Sequence, residues 1–441
     1  MKFSVVLLIA LLCCVTSVSR GQTAPSRKLS PKELPASAHK LIGVVVKGTQ
    51  RYVPADVIAV SGLKLGEIVN EEDFKRTAEK LGETGAFSDV VYTYSYSPEG
   101  TKLELQIKES DKIVPAIFEN FVWYGDKELV GKIHQYVPLF TGELPISGNV
   151  AEQVADALQA LLVQRGSKGQ VDYIRAAPEG RPIDSVRFSV NNVDIRIRNV
   201  DFPRAGPGEL PVLNARARKL QGADYMRSKV RLYADDDLLP IYLERGYLKA
   251  SFAAPEAKLV QEKPEEVDVD VSLPLDAGRQ YKLSQFGWSG NKALSADQLN
   301  PLLHLAPGQP ANAVQLGNDL QAVQKLYRRH GYMAAEIKPV SHLDEASGTA
   351  TYELQVNEGD LYRMGDVEIH GLDSRTTDRM RLAWGLKEGD PYDAAYPQRF
   401  LKETGNLIAP NIKWGVSIHE SVNQQEKTVD VELRFTPQGV E

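Results

Sequence analysis

Cysteine is almost absent from this chain of 441 residues. The two cysteines, Cys13 and Cys14, both lie in residues 1–19, a segment with a basic Lys2, an apolar run over 3–15 and small residues near its end. This pattern is typical of a secretory signal peptide, and lipid attachment at Cys13 or Cys14 is the open alternative. A mature chain without thiols has no disulfide, cysteine nucleophile or thiolate metal site. Such a chain suits the oxidising bacterial periplasm.

Long apolar runs, a strong charge imbalance and paired histidines are also missing. The run over 3–15 is shorter than the roughly 20 apolar residues of a membrane-spanning helix. A net charge of −6 gives no reason to expect binding to nucleic acid. No two of the seven histidines are four residues apart, and segments 206–208 and 287–290 match neither a dinucleotide loop nor a nucleophile elbow. We therefore predict a non-enzymatic protein without a catalytic residue, cofactor or metal ion.

What is present is an internal repeat marked by glycine. Five glycines follow a large apolar residue by four positions and recur at intervals of 81, 80, 85 and 74 residues: Gly85, Gly166, Gly246, Gly331 and Gly405. Each follows a stretch of helical spacing and precedes an alternating segment, so each is predicted to be the left-handed stop of a helix before a strand. A period near 80 residues indicates an array of similar units.

Each unit also carries a pair of glycines in a constant order. The first ends a strand-like segment and the second follows 16 to 18 residues later; the pairs are Gly48 and Gly66, Gly125 and Gly142, Gly206 and Gly222, Gly290 and Gly308, and Gly371 and Gly389. With the helix and hairpin signals, this order predicts β-α-α-β-β in every unit. We predict an α+β fold, a three-stranded sheet covered on one face by two helices. After a flexible leader at 20–38, repeats 1 to 5 are predicted at 39–111, 112–192, 193–279, 280–360 and 361–437.

An apolar stripe in repeat 4 predicts a helix with one buried and one solvated face. The buried set is Leu316, Leu320, Val323 and Tyr327, and the solvated set is Gln315, Asp319, Gln324 and Arg328. Ser295 is predicted to cap the short helix before it. In repeat 3, Pro240 predicts a helix start or kink, and the acidic triplet 235–237 is interpreted as an N-terminal cap or a cation site.

Two helix ends and one strand exit resemble those of a known family. The segments are YLERGYLKASF (242–252), YRRHGYMAAEI (327–337) and LQVNEGDLYRMGDVEIHG (354–371). They resemble the polypeptide-transport-associated (POTRA) domains of outer-membrane protein assembly factors of the BamA type. Repeats 1, 2 and 5 depart from the signature, with Ala86, Ser167 and Asn406 in place of the aromatic after the glycine. In such factors the last POTRA domain leads into a transmembrane β-barrel, whereas here only TPQGVE follows 429–435, so we expect this chain to lack the barrel.

The resemblance implies where a client strand binds. In the POTRA fold the first strand pairs with the third, so the middle strand lies at the sheet edge and can accept an added strand. The expected edges are 90–96, 171–175, 248–252, 335–340 and 412–418. The candidate client-binding residues are Val91, Tyr92, Tyr94, Tyr96, Val171, Tyr173, Lys249, Phe252, Glu336, Ile337, Ile412 and Trp414. The three tyrosines of repeat 1 share one face, which either contacts a client or packs on the helices of its own repeat.

The implied function is client binding in outer-membrane protein assembly. The expected clients are unfolded outer-membrane proteins, and the expected partners are a separate β-barrel or periplasmic lipoproteins. The expected location is the periplasm, in peripheral association with the outer membrane. A scaffold for folded partners and a fragment of a full assembly factor are the alternatives. Residues 175–231 hold 12 Lys or Arg against 6 Asp or Glu, either a surface for an anionic lipid or acidic partner or an ordinary solvated surface.

Overall fold

The computed structural model describes residues 36–408 and 412–438. The predicted signal peptide and nearly all of the predicted leader lie outside these residues. The described residues divide into two compact units. Residues up to Ala116, Leu129–Ala157 and Arg175–Val186 form the first, and Ile117–Glu128, Leu158–Ile174 and residues from Arg187 onward form the second. No helix in the described ranges is both long and apolar enough to cross a membrane.

Repeat 1 has the predicted order of elements. They are β1 (Leu41–Lys47), α1 (Pro54–Ser61), α2 (Glu71–Glu83), β2 (Phe87–Ser97) and β3 (Gly100–Glu109). The sheet order is β1-β3-β2, with β1 parallel and β2 antiparallel to β3. Leu103, Leu105 and Ile107 of β3 are buried in one cluster with Val57 of α1 and Phe74 of α2. The alternate residues of β3 are largely exposed, so both helices cover the same face, as predicted.

Repeat 2 has a fourth strand. Its elements are β4 (Ile113–Phe118), α3 (Asp126–Tyr136), β5 (Glu143–Pro145), α4 (Val150–Gln164), β6 (Gln170–Ala176) and β7 (Ser185–Asn191). The sheet order is β5-β4-β7-β6, so the prediction of three strands is wrong here. The additional strand is only three residues long, because Pro145 ends it.

Repeat 3 differs most from the prediction. Its elements are β8 (Asp194–Asp201), α5 (Leu210–Ala217), α6 (Arg227–Tyr233), α7 (Pro240–Leu243), β9 (Ser251–Phe252), β10 (Glu256–Glu262), β11 (Glu266–Ser272) and β12 (Leu275–Asp276). One sheet has the order β10-β11-β8, and β9 pairs only with β12. Pro255 and Pro274 follow β9 and precede β12, and neither can donate to a strand ladder. The hairpin is therefore split at this point.

Repeats 4 and 5 return to the three-stranded pattern. Repeat 4 has β13 (Lys282–Ser289), α8 (Ala296–Leu299), α9 (Ala313–Arg329), β14 (Glu336–Asp344) and β15 (Thr349–Asn357); repeat 5 has β16 (Arg363–His370), α10 (Ser374–Ala383), α11 (Tyr396–Thr404), β17 (Lys413–Asn423) and β18 (Thr428–Gln438). Their sheet orders are β13-β15-β14 and β16-β18-β17. The α+β class is confirmed, while the number and residue boundaries of the domains stay predictions.

In repeat 4 the helix predictions are confirmed except at Asp319. The stripe of α9 is buried, and Ser295 caps α8 in a capping box with Gln298. Asp319, however, is only 1% exposed. Its carboxylate accepts hydrogen bonds from the backbone N–H of His304 and the side-chain amide of Gln315, because the loop after α8 folds over this part of α9. The prediction that Asp319 faces water is wrong.

The acidic triplet 235–237 does not begin a helix. It lies in a π turn, Ala234–Leu238, that joins α6 to α7. Pro240 begins α7, which confirms the interruption predicted there. Asp235 pairs with Arg231 one turn earlier, at 2.8 Å. The N-terminal cap interpretation is therefore wrong, and the triplet is part of a continuous but irregular helix.

Candidate functional site

The middle strand of each repeat lies at a sheet edge, as the resemblance implied. These strands are β2, β6, β10, β14 and β17, and each has one neighbour in its sheet. A strand with one neighbour presents unpaired N–H and C=O groups on its other side. Backbone groups of this kind can bind an extended polypeptide of almost any sequence.

The opposite edge of each sheet is partly covered. In repeat 4 the N–H of Leu283 donates to Gln309 O, and those of Gly308 and Ala311 donate to Leu283 O and Tyr281 O, at 2.8–2.9 Å. Repeats 1, 3 and 5 form the same three bonds, with Gly66, Gly222 and Gly389 at the place of Gly308. In repeat 2, β5 pairs with the first strand instead. Sequence reasoning found these glycines as landmarks but missed that they close this edge.

In repeat 1 the three tyrosines face inward. Phe74 of α2 lies 5.0 Å from the ring of Tyr94 and 6.3 Å from that of Tyr92, between centroids. Tyr96 packs edge-on against His39 at 5.0 Å. Burial, with a further contribution from Glu71, raises the pKa of Tyr94, so its hydroxyl stays protonated at neutral pH. The interpretation that these rings pack on their own repeat is confirmed, and Val91, Thr93 and Ser95 form the exposed face of β2.

The predicted edge of repeat 3 is wrong. Phe252 lies in β9, is 2% exposed and contacts the rings of Phe202 and Tyr242. Lys249 lies outside every strand and pairs with Glu345. The edge is β10, which starts after the Pro255 break. The prediction assumed that the strand follows Gly246 directly. It was placed too early, because Pro255 separates β10 from Gly246.

The other predicted edge residues fall on or beside edge strands. Val171 and Tyr173 are half-buried on β6, and Tyr173 lies 5.7 Å from Phe188. In repeat 4, Glu336 is exposed and Ile337 half-buried on β14. In repeat 5, Ile412 precedes β17, and Trp414 packs against Phe435 at 6.3 Å. The roles assigned to these residues stay predictions.

The edges differ in how well they can accept a strand. β2 and β17 are 11 residues long and contain no proline. The pairing of β17 with β18 continues without a register shift from Lys413 to Asn423. β14 contains Pro339, which has no N–H and interrupts the row of donors on the open side. Repeats 1 and 5 therefore carry the longest uninterrupted open edges.

The five repeated glycines that separate a helix from the following strand are called the glycine corners here. Some of them have a second role that the sequence did not reveal. Gly331 has φ +90°, and a Cβ added there would lie 2.6 Å from Tyr362 O in repeat 5. Its carbonyl accepts a 2.8 Å hydrogen bond from the N–H of Tyr362. Gly246 makes the same contact with Tyr281, with φ +84° and 2.4 Å between the added Cβ and the carbonyl oxygen. These glycines join consecutive repeats by backbone contact that leaves no room for a side chain.

The five corners are not equivalent. Gly85 also has a left-handed backbone conformation, and a Cβ added there would lie 2.1 Å from Ser147 O. Gly166 is left-handed but has open space around it. Gly405 has φ −54° and begins a 3₁₀ turn, Gly405–Leu407, so the predicted left-handed stop is wrong there. The period is shared, but the joint contact is found at three corners.

A further contact between repeats involves Glu262 at the end of β10. Its carboxylate accepts hydrogen bonds from the indole N–H of Trp123, at 2.6 Å, and from Arg165 Nη2, at 2.7 Å. The hydrogen bond from Arg165 lowers the pKa of Glu262, which keeps the carboxylate charged. The guanidinium of Arg165 also lies 5.6 Å from the ring centroid of Tyr124.

Half of the 12 basic side chains of the segment 175–231 form ion pairs. Arg196 pairs with Asp194 at 3.0 Å, and Arg198 pairs with Asp270 across the sheet of repeat 3. Four more of its basic side chains form ion pairs: Arg187, Lys219, Arg227 and Arg231. This pairing favours the solvated-surface interpretation. Among the described side chains, no group of three or more His, Cys, Asp or Glu is placed to hold a metal ion.

Comparison with known proteins finds similarity to a POTRA domain and to outer-membrane protein assembly factors. Residues 281–359, within predicted repeat 4, match the POTRA family model, described as "Surface antigen variable number repeat". The outer membrane protein assembly factor BamA of Neisseria meningitidis serogroup B is 25% identical over 210 residues, covering 44% of this chain and 26% of that protein. Residues 281–359 match the POTRA family, and the chain as a whole is similar to POTRA arrays of the BamA type.

Two further similarities accompany the POTRA match. A putative outer membrane protein assembly factor of Treponema pallidum is 25% identical over 211 residues, covering 45% of this chain and 25% of that protein. The crystal structure of BamA POTRA domains 3–5 from Haemophilus influenzae is 18% identical, with a TM-score of 0.41, over 55% of this chain and 95% of that one. This chain thus spans about a quarter of the length of the curated relatives it matches.

Proposed function

We propose that this chain acts in the periplasm in outer-membrane protein assembly, by binding and not by catalysis. Its open edge strands bind unfolded outer-membrane polypeptides by strand addition, and its repeats dock assembly partners. The observation that carries this proposal is the open edge on the same strand of each repeat's sheet. The similarity to two proteins named as outer-membrane assembly factors supports the setting.

Strand addition to such an edge is weak by itself. It forms about one backbone hydrogen bond per residue, each contributing about 0.5–1.5 kcal/mol. Ordering each residue of the client costs about 1–2 kcal/mol. Because the two contributions nearly cancel, side-chain contacts decide which segments bind and for how long. Weak, sequence-tolerant binding suits a protein that must release each client.

The test is crosslinking from two valines on opposite strands of one sheet. Val91 on β2 and Val45 on β1 are 50% and 51% exposed. A photoreactive amino acid at each position, in the chain without residues 1–19, is irradiated with a urea-denatured outer-membrane protein diluted into buffer. We expect capture from position 91 in clear excess over position 45. Equal capture from both positions, or capture of folded partners alone, would contradict the proposal.

A further inference from the structure

A cleft between repeats 4 and 5 is lined by an excess of positive charge. Its volume is about 680 Å³, and Lys325, Arg328 and Arg329 of α9 are part of its lining. The two arginines follow the lysine by three and four positions, so all three side chains lie on the same side of the helix. Glu420 of β17 is the single carboxylate among the described residues of the lining. Three positive groups against one negative group leave an excess of two positive charges in the cleft.

Arg328 is only loosely paired with Glu420. The distance from Nη2 of Arg328 to the carboxylate is 3.9 Å, which is too long for a hydrogen bond. Glu420 has a closer partner, because the hydroxyl of Tyr392 donates to it at 2.7 Å. Burial raises the pKa of Tyr392, so this hydroxyl keeps its proton at neutral pH. Arg328 therefore has donors left for another acceptor.

Arg329 is in the same situation. Its Nε lies 3.9 Å from the carboxylate of Asp393, which already accepts hydrogen bonds from the backbone N–H of Ala395, at 2.9 Å, and from Arg399, at 3.0 Å. Lys325 is exposed and has no carboxylate within ion-pair distance among the described residues. The cleft thus presents three cationic side chains whose hydrogen-bonding capacity is largely unused.

The contact between consecutive repeats does not require these cations. Gly246 makes the same backbone contact with the next repeat as Gly331 does. The residues at the matching positions before Gly246 carry no positive charge, and neither do those before Gly85. They are Pro240, Leu243 and Glu244 in repeat 3, and Glu79, Gly82 and Glu83 in repeat 1. The cluster in repeat 4 therefore has a role other than joining repeats.

A phosphate monoester is the anion that best fits this lining. Arginine donates in pairs to phosphate oxygens, and lysine binds phosphate as a point charge. A phosphate monoester carries about −1.5 to −2 charges at neutral pH, which matches the excess of two positive charges. The rest of the lining is mainly apolar and includes Ala394, Pro397 and Ile418. A cleft of this size is in the range that holds small organic ligands, so the group esterified to the phosphate can lie against these apolar residues.

We infer that this cleft binds the phosphate monoester of an amphipathic molecule. The phosphate accepts hydrogen bonds from Arg328 and Arg329 and pairs with Lys325, and the alkyl part packs against Pro397 and Ile418. A lipid headgroup and a soluble phosphate ester share this chemistry. The ligand is a small anion and not an added strand, so the inference does not depend on the proposed function.

The test is isothermal titration calorimetry with hexyl phosphate and the chain without residues 1–19. Inorganic phosphate and hexanoate are the matched ligands, since the first lacks the alkyl chain and the second has a carboxylate in place of the phosphate. We expect hexyl phosphate to bind more tightly than either. Arg328→Gln should weaken this binding by about 2- to 12-fold, the effect of one hydrogen bond at a half-exposed side chain. Arg328→Lys, which keeps the charge but loses the paired donors, should weaken it less.

Arg381→Gln is the matched control, because Arg381 is exposed on α10 outside the lining and its loss changes the net charge equally. It should leave the affinity for hexyl phosphate unchanged. Unchanged affinity in Arg328→Gln overturns the inference, as does equal weakening in Arg381→Gln. Equally tight binding of hexanoate or inorganic phosphate also overturns it. Binding of a blocked hexaglutamate peptide in place of hexyl phosphate would indicate an acidic protein partner and overturn it as well.

Flotation with phosphatidylcholine vesicles, with and without phosphatidic acid, distinguishes the two sources of the phosphate. Flotation that requires phosphatidic acid and decreases in Arg328→Gln supports a lipid headgroup as the ligand. Binding of hexyl phosphate without such flotation supports a soluble ester. Client crosslinking from position 91 should be unchanged in Arg328→Gln, so the inference can fail while the proposed function stands.

Discussion

Three glycines at the same place in repeats 2, 4 and 5 are expected to respond differently to alanine. At Gly331 a Cβ would meet Tyr362 O at 2.6 Å, with φ at +90°. Gly166 has φ +75° but no atom within 4 Å, and Gly405 has φ −54° with the same open space. The series therefore separates backbone strain from contact with the next repeat.

The expected magnitudes follow from these geometries. Placing an L-amino acid in the left-handed backbone conformation costs about 1–2 kcal/mol of folding free energy. Gly166→Ala should therefore destabilise its repeat by about that much. Gly331→Ala adds overpacking of about 1–3 kcal/mol, giving roughly 2–5 kcal/mol in total. Tyr362 cannot move away freely, because its N–H donates to Gly331 and its carbonyl accepts from Tyr392, at 2.8 and 3.0 Å. Gly405→Ala should stabilise by about 0.4–1 kcal/mol through the unfolded chain.

Hydrogen exchange read by mass spectrometry suits this series, because a chain of several repeats does not unfold in one step. Exchange in the segments around each glycine gives the local opening free energy of each variant. Protection around Tyr362 should fall in Gly331→Ala and stay unchanged in Gly166→Ala. Equal losses of protection around Tyr362 in Gly331→Ala and Gly166→Ala would refute the contact between Gly331 and Tyr362. A loss of protection around position 405 in Gly405→Ala would refute the backbone conformation assigned to Gly405.

Three further outcomes are expected. Asp319→Ala should lower the opening free energy of α9 by about 1–3 kcal/mol, because buried donors lose their acceptor; unchanged exchange there would contradict this. The lowered pKa of Glu262 means that its stabilising contact exists above the ordinary value near 4.3 and disappears as pH falls through the folded value. The indole N–H resonance of Trp123 should therefore shift as pH falls below the ordinary carboxyl value, and Glu262→Gln should abolish that titration. Pro339→Val should increase client crosslinking from β14, since it restores a donor on the open edge; equal crosslinking would show that the donor is not used.

Much of the fold could be read from local patterns in the sequence. The stripe from Leu316 to Tyr327 and the capping residue Ser295 depend on neighbours a few positions away, so periodicity and capping rules apply directly. The predicted edges failed in repeat 3, where Pro255 moved the strand past the position that Gly246 indicated. The prediction that Asp319 faces water failed for a different reason, because the burial of this side chain depends on a loop 15 residues away in the chain.

The sequence by itself determined the α+β class and, given the resemblance to POTRA domains, the order of elements and the position of the middle strand in repeats 1, 4 and 5. These depend on hydrophobic periodicity and turn residues, which act within each repeat. Only the tertiary structure decided that the tyrosines of β2 face inward, that Gly246 and Gly331 join repeats, and that Arg328 and Glu420 line one cleft. These features depend on contacts between residues that are far apart in the chain. Such contacts produce no regular period in the sequence.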